Sequence, residues 1–141
     1  MYINTLPARL ISWLSGQEAL GDCIFSVAYQ RNPATRPVEE PTVTIGGENM
    51  SVEDIEQGVS SRSALTSFVV SVHTPSYLGG ERCADIAARL LDALLFGTGL
   101  NIGAVTSDKV RYDRNTDTII LEFHFTVAET VRQTYDWSEF L

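Results

Sequence analysis

The chain has 141 residues, of which 44% are apolar and 20% charged; this is the composition of a globular protein, not of a disordered or fibrous one. Its 18 acidic and 10 basic residues give a formal net charge of −8 at neutral pH. Because non-specific affinity for nucleic acid comes from positive charge, a general nucleic-acid-binding function is disfavoured. We also expect no direct sequence-specific contact with nucleic acid.

The sequence carries few signals of an oxidising or membrane environment. Two cysteines, Cys23 and Cys83, are too few for a disulfide framework, and both lie within apolar patterns. The first residues lack the basic start of a signal peptide, and no apolar run approaches the ~18 residues of a membrane helix. We therefore expect a protein of a reducing cytoplasm with no membrane partner.

The first predicted element is a short amphipathic helix. Asn4 or Thr5 can cap it, and Pro7 is tolerated in its first turn. Gly16 lies where such a helix would end. Its apolar face is formed by Leu6, Leu10, Trp13 and Leu14.

Two strands follow the first helix. Residues 23–30 alternate in side-chain character, and residues 42–45 form a second, shorter strand that ends at the turn signal of residues 46–47. Residues 31–41 contain three prolines and predict an exposed loop between the strands. Residues 51–54 can start one helical turn.

The second half of the chain has stronger patterns. Residues 64–74 predict a central strand covered on both faces, and residues 81–96 predict an amphipathic helix in which Asp85 and Arg89 form an i,i+4 ion pair. Residues 105–112 and 118–131 predict the two arms of a hairpin. The buried stripe of the helix consists of Cys83, Ala87, Leu90 and Leu94, flanked by Ile86 and Leu91.

The element order, α-β-β-β-α-β-β, predicts an α+β fold. We expect a mostly antiparallel or mixed sheet of about five strands with two main helices packed on one face. Residues 1–141 are predicted to form a single domain, with residues 132–141 as a C-terminal extension.

No pattern of catalytic residues stands out. Residues 97–103 are rich in glycine, but they follow a predicted helix and precede a strand, which is the wrong order for a phosphate-binding loop. His124 shares a strand face with Glu122, an arrangement more typical of surface packing than of acid–base catalysis. The histidines and cysteines lack metal-ligand spacing. We therefore expect no catalytic residue, no cofactor and no metal ligand, and a protein that is not an enzyme.

The segment from residue 68 to residue 131 resembles a known family. It contains a strand and turn (FVVSVHTPSYLGG), an amphipathic helix (ERCADIAARLLDALL) and a long alternating strand (TDTIILEFHFTVAETV). This order is similar to that of the tail terminator, or head–tail joining, proteins of long-tailed bacteriophages and prophages. The N-terminal half agrees in the order of its elements.

The resemblance implies a structural virion protein. Proteins of this family form a hexameric ring that caps the phage tail tube, ends its polymerisation and joins the tail to the head. The expected partners are therefore further copies of this chain, the tail tube protein and the head–tail connector proteins. The expected locations are the host bacterial cytoplasm during assembly and the head–tail junction of the virion.

Six residues are candidates for the partner interface. A chain of net charge −8 that associates with itself needs arginines facing acids across the contact, and the acidic stretch of residues 39–56 is the candidate for the opposing side. Aromatic residues near the end of the chain either cover its own sheet or dock on a neighbour, and we expect docking. The candidates are Arg31, Arg36 and Arg114 in loops, and Tyr135, Trp137 and Phe140 in the C-terminal segment.

Other classes of function remain open from the sequence. The chain is also compatible with another head–tail connector component, such as a head-completion or stopper protein. A small cytosolic α+β enzyme would use His124 and Glu122 as its acid–base pair. An adaptor would bind a peptide partner along one edge of the sheet.

Overall fold

The computed structural model describes residues 1–28, 39–53 and 61–135. It contains two α-helices and a mixed six-stranded sheet, which confirms the predicted α+β class with one strand more than the five expected. The helices are α1 (Tyr2–Ser15) and α2 (Gly79–Gly97). The strands are β1 (Ile24–Val27), β2 (Thr42–Val52), β3 (Ser61–Pro75), β4 (Ile102–Ser107), β5 (Arg111–Asp113) and β6 (Thr118–Arg132). Short 3₁₀ turns occupy Glu18–Leu20 and Ser76–Leu78.

The strands lie in the order β1-β2-β3-β6-β4, and β5 also pairs with β6. The β1–β2 pair is parallel, and the other pairs are antiparallel. The two longest strands, β3 and β6, pair along their whole length, from Ser61 opposite Arg132 to Pro75 opposite Thr118. This long ladder forms the centre of the sheet.

One face of the sheet carries the core. The register places Val43 beside Val72 and Val70 beside Phe123, so the buried side chains of β2, β3 and β6 point to the same side. These residues form one apolar cluster with the buried residues of both helices, so α1 and α2 cover the same face. The helical contribution comes from Leu6, Leu10 and Leu14 of α1 and from Cys83, Ile86, Ala87, Leu90 and Leu94 of α2.

Helix α2 follows the sequence pattern closely. All four residues of its predicted stripe are buried, and the Sγ atom of Cys83 lies 3.6 Å from the carbonyl oxygen of Val72. On the polar side, Arg89 pairs with Asp85 at 3.0 Å, as the i,i+4 spacing predicts. No helix among the described ranges is long and apolar enough to cross a membrane.

The start of α1 differs from the prediction, whereas its end agrees. The helix begins at Tyr2 rather than after a cap at Asn4 or Thr5. The hydroxyl of Thr5 instead donates a hydrogen bond to the Met1 carbonyl, one turn earlier in the same helix. Gly16 follows the last helical residue, where the sequence placed the end.

The predicted turn at residues 46–47 is wrong, because β2 continues to Val52. Gly47 lies against α1, where an added Cβ atom would come within 2.8 Å of Cδ1 of Ile3. The glycine thus serves a close approach of helix to strand rather than a change of chain direction. The helical turn expected at residues 51–54 is also wrong at Ser51 and Val52, which belong to β2, and residue 54 lies outside the described residues.

Two further strands differ in extent from the sequence prediction. The strand predicted over residues 23–30 is limited to β1, and residues 29–38, including most of the predicted proline-rich loop, lie outside the described residues. The arm predicted over residues 105–112 is divided into β4 and β5 by residues 108–110. The coverage predicted on both faces of β3 is only partial, because Val69 and Ser71 are buried on the second face while Leu65 is 45% exposed.

Candidate functional site on the outer face of the sheet

The sheet face opposite the two helices, here called the outer face, carries a polar cluster centred on His124. In the register, His124 of β6 lies between Val69 of β3 and Thr106 of β4. Its Nδ1 atom is 2.8 Å from Oε1 of Glu48, and its Nε2 atom is 3.3 Å from Oδ2 of Asp108. One imidazole ring therefore connects carboxylates from two other segments of the sheet.

A bulge in β2 and an extension of the β4–β6 ladder place these carboxylates. The β2–β3 register shifts between Gly47 and Asn49, so Glu48 occupies a bulge from which its side chain reaches across β3 to His124. Bulges re-aim side chains in this way. On the other side, the backbone N–H of Asp108 donates to the Glu122 carbonyl at 2.9 Å, which continues the β4–β6 ladder by one residue. That extra residue brings Asp108 beside Glu122.

Glu122 completes the group, and we call Glu48, Asp108, Glu122 and His124 the outer-face cluster. One carboxylate oxygen each of Asp108 and Glu122 and one ring nitrogen of His124 lie within 4.8 Å of one another. Oε1 of Glu122 also accepts a hydrogen bond from Arg111 at 3.2 Å. The ring of His124 contacts Glu48 and Asp108 directly, whereas Glu122, its partner in the alternative of a small enzyme, is close to it without a hydrogen bond among the described residues.

The carboxylates change the protonation of His124. Partial burial lowers the pKa of the imidazole, but the hydrogen bond to Asp108 and the charge of Glu48 outweigh it and leave the pKa raised above its usual value. The charged ring can donate from both nitrogens, one to each carboxylate. The two carboxylates therefore favour the charged form of His124.

The second histidine of the outer face behaves differently. His73 of β3 lies opposite Ile120 of β6, and its pKa is lowered, mainly because burial disfavours the charged ring. The charge of Glu122 acts in the opposite direction and is the smaller effect. The pKa values of the two histidines of this face are therefore shifted in opposite directions.

A second surface feature is a groove of about 860 Å³ between the two helices. Its walls include Trp13 at the end of α1 and Phe96 near the end of α2, and the Phe96 side chain is 82% exposed. Arg89 borders it and donates to the Ala19 carbonyl at 3.0 Å. The groove is mainly apolar and contains none of the outer-face cluster.

The predicted interface residues do not come together in one place. Arg114 is exposed in the turn between β5 and β6, whereas Tyr135 follows the other end of β6 and is 66% exposed. Since a strand rises ~3.3 Å per residue, the two ends of this 15-residue strand are separated by roughly 45 Å. The other four candidates, Arg31, Arg36, Trp137 and Phe140, lie outside the described residues.

Sequence reasoning missed two members of the outer-face cluster. Alternation along β6 correctly put Glu122 and His124 on one face. Glu48 was missed because the strand was expected to stop before it, and Asp108 because its position depends on the register between β4 and β6. The sequence placed Asp108 inside a strand predicted over residues 105–112, and an acidic residue within a strand is too common to select it.

Comparisons with known proteins leave the chain without a family assignment. No protein-family model matches it, and no curated protein matches its sequence. Among solved structures, the chain is similar to one with 16% sequence identity over 93% of this chain and 92% of the other, with a TM-score of 0.42. A similarity of that size carries no argument about function.

Proposed function

We propose that this chain is a structural, non-enzymatic protein that assembles into a ring, caps a phage tail tube, ends its polymerisation and joins the tail to the head. The observation that carries the proposal is the resemblance of residues 68–131 to the tail terminator family. In the structure these residues comprise the second half of β3, all of α2, β4 and β5, and most of β6. The ring is proposed to be a hexamer, as in that family.

Arg114 and Tyr135 lie on separate surfaces of the chain. Identical subunits close a ring by repeating a contact between two different surfaces, so each copy needs two contact surfaces. Arg114 and Tyr135 flank opposite ends of β6, and each is proposed to belong to one such surface. Each is exposed, as a residue that reaches a neighbouring copy must be in the isolated chain.

The charge of the chain supports contacts that depend on arginine. With a net charge of −8, identical copies repel one another unless basic groups face acids across the contact. Arginine suits this role because its guanidinium pairs with a carboxylate through two parallel hydrogen bonds. Glu39, Glu40, Glu48 and Glu53 are the described acids of the predicted opposing side.

Native mass spectrometry and negative-stain electron microscopy of the purified chain test the ring. The expected result is a six-membered ring, and a strict monomer at high protein concentration contradicts the proposal. A second assay adds the chain to a polymerising tail tube protein, and tubes of limited length with a ring at one end are expected. Rings that leave tube growth unchanged indicate a head-completion or stopper protein instead.

A charge reversal with a matched control tests the contact. Arg114→Glu is expected to shift the chain from ring to monomer, whereas Arg9→Glu makes the same change of charge on the exposed side of α1 and leaves the ring intact. A second reversal, Glu39→Arg or Glu40→Arg, is expected to restore assembly of the Arg114→Glu chain. Equal assembly of the two single variants contradicts the assigned role of Arg114 without contradicting the ring.

Removal of residues 134–141 tests the role proposed for the C-terminal segment. If the segment docks on a neighbour or on the tube, the shortened chain keeps its melting temperature within a few degrees and loses the ring or the capping activity. A much lower melting temperature, or loss of soluble expression, shows instead that the segment covers its own chain. That outcome removes the assembly role of Tyr135, Trp137 and Phe140.

A further inference from the structure

We propose that the outer-face cluster binds a divalent metal ion such as Zn²⁺ through the imidazole of His124 and the carboxylates of Asp108 and Glu122. The proposal rests on the geometry of these side chains and is independent of ring formation. It also differs from the expectation drawn from the sequence, in which no metal ligand was expected because the histidines and cysteines lack metal-ligand spacing.

The donor atoms are close enough to share one ion. Ligand atoms bound about 2.1 Å from a tetrahedral ion lie roughly 3.4 Å apart. In the cluster the three donor atoms lie within 4.8 Å of one another, so small side-chain rotations bring them to that spacing. The Asp108 side chain is 62% exposed and has room for such a movement.

The imidazole ring is already oriented for ligation. A ligating histidine typically donates its second ring N–H to a carboxylate, which fixes the tautomer and raises the basicity of the metal-binding nitrogen. Glu48 provides this partner, since its Oε1 atom lies 2.8 Å from Nδ1 of His124. The neutral ring with its proton on Nδ1 then presents the lone pair of Nε2 toward Asp108. Glu48 is therefore a positioning residue and not a ligand.

The charge balance favours a cation. Three carboxylates of the cluster face one guanidinium, that of Arg111, so with a neutral imidazole these five side chains carry a formal charge of −2. Arg111 contacts Oε1 of Glu122. Because a carboxylate has two oxygens, Glu122 can keep this ion pair and offer Oε2 to the metal.

The chemistry of the donors selects the class of metal. One imidazole nitrogen with two carboxylate oxygens suits Zn²⁺, Co²⁺ or Ni²⁺ better than Mg²⁺ or Ca²⁺, which prefer oxygen ligands alone. The cluster lies on an open face, so water can fill the remaining coordination position. The site therefore resembles an accessible metal site more than a closed structural one.

Isothermal titration calorimetry of the chelator-treated full chain with Zn²⁺ tests the proposal. We expect one ion per chain with a dissociation constant in the micromolar range or below. His124→Gln and Asp108→Asn are each expected to weaken binding at least about tenfold, and Glu48→Gln to weaken it by a comparable factor while keeping the stoichiometry. His73→Gln is the matched control, because it removes the other histidine of the same face, and it is expected to bind Zn²⁺ as the parent does.

Absorption spectroscopy with Co²⁺ in place of Zn²⁺ reports metal coordination directly and does not depend on the stability of the chain. The d–d absorption of bound Co²⁺ is expected in the parent and in the His73→Gln chain, and is expected to be lost in the His124→Gln chain. Circular dichroism confirms that each variant is folded, and Asp108→Asn serves as a second variant with an exposed side chain. The proposal is overturned if Zn²⁺ binds only in the millimolar range, or if His124→Gln binds as tightly as the parent.

Discussion

The packing of α2 on the sheet can be tested by truncating Leu90, which is fully buried in the middle of the helix. Leu90→Ala removes three carbon atoms from the core, a loss of ~2.4 kcal/mol at roughly 0.8 kcal/mol per buried CH₂ group. The cavity that remains adds to this loss, and comparable buried leucines cost about 2–5 kcal/mol in total. We therefore expect the free energy of unfolding to fall by about 3–4 kcal/mol.

Urea denaturation followed by circular dichroism measures the change, and Leu95→Ala provides the matched control. Leu95 lies on the same helix, but its side chain is 40% exposed, so the same truncation is expected to cost less than about 1 kcal/mol. A loss below about half a kilocalorie per mole for Leu90→Ala, or equal losses for the two variants, refutes the packing described here.

Three further perturbations address other parts of the molecule. In the presence of a chelator, the raised pKa of His124 predicts that its ion pairs stabilise the folded chain at low pH. This contribution to the free energy of unfolding is complete below the pKa of histidine in the unfolded chain and is lost as the pH rises through the pKa of His124 in the folded chain. His124→Gln removes this pH dependence in urea melts. Thr66→Val is expected to preserve or raise the melting temperature, because the buried Thr66 hydroxyl has no hydrogen-bond partner among the described residues. Gly47→Ala is expected to cost about 1–3 kcal/mol, because the added Cβ atom meets the backbone oxygen of Ile3 at 3.3 Å as well as the end of its side chain, whereas Gly80→Ala, which meets nothing within 4 Å, is neutral in the same denaturation assay.

Each of these predictions has a contrary outcome. A stability difference between the parent and His124→Gln that does not change from acidic to alkaline pH contradicts the ion pairs of His124. A large loss for Thr66→Val indicates that the hydroxyl is hydrogen-bonded. Equal stability of Gly47→Ala and the parent contradicts the close approach of α1 to β2.

The segments with a strong periodic pattern were predicted well from the sequence. Residues 81–96 and 118–131 differ from α2 and β6 by no more than two residues at any end. In both, side-chain burial follows the period of the backbone, so local pattern and tertiary packing favour the same structure. The α+β class follows from these elements and their order.

The errors arose where tertiary contacts outweigh local preference. The glycines at residues 46–47 favour a turn locally, but pairing with β3 and the approach of Ile3 keep them in a strand. For a similar reason, the sequence predicted the shared face of Glu122 and His124 but not the other two members of the outer-face cluster. The distances of Glu48 and Asp108 from His124 are set by the strand register, by the bulge in β2 and by the continuation of the β4–β6 ladder to Asp108, and none of these has a signature in residue type alone.

The place of β6 in the sheet has a consequence for how the chain folds. Among the described strands, β6 follows all the others in sequence, yet it lies between β3 and β4 and is the partner of β3, β4 and β5. Until β6 pairs, one side of β3 has no partner among the described strands, and β4 is not joined to the sheet. Pairing between segments so distant in sequence requires closure of long loops, which slows folding. We therefore expect the pairing of β6 with β3 to be the slow step that commits the chain to its fold.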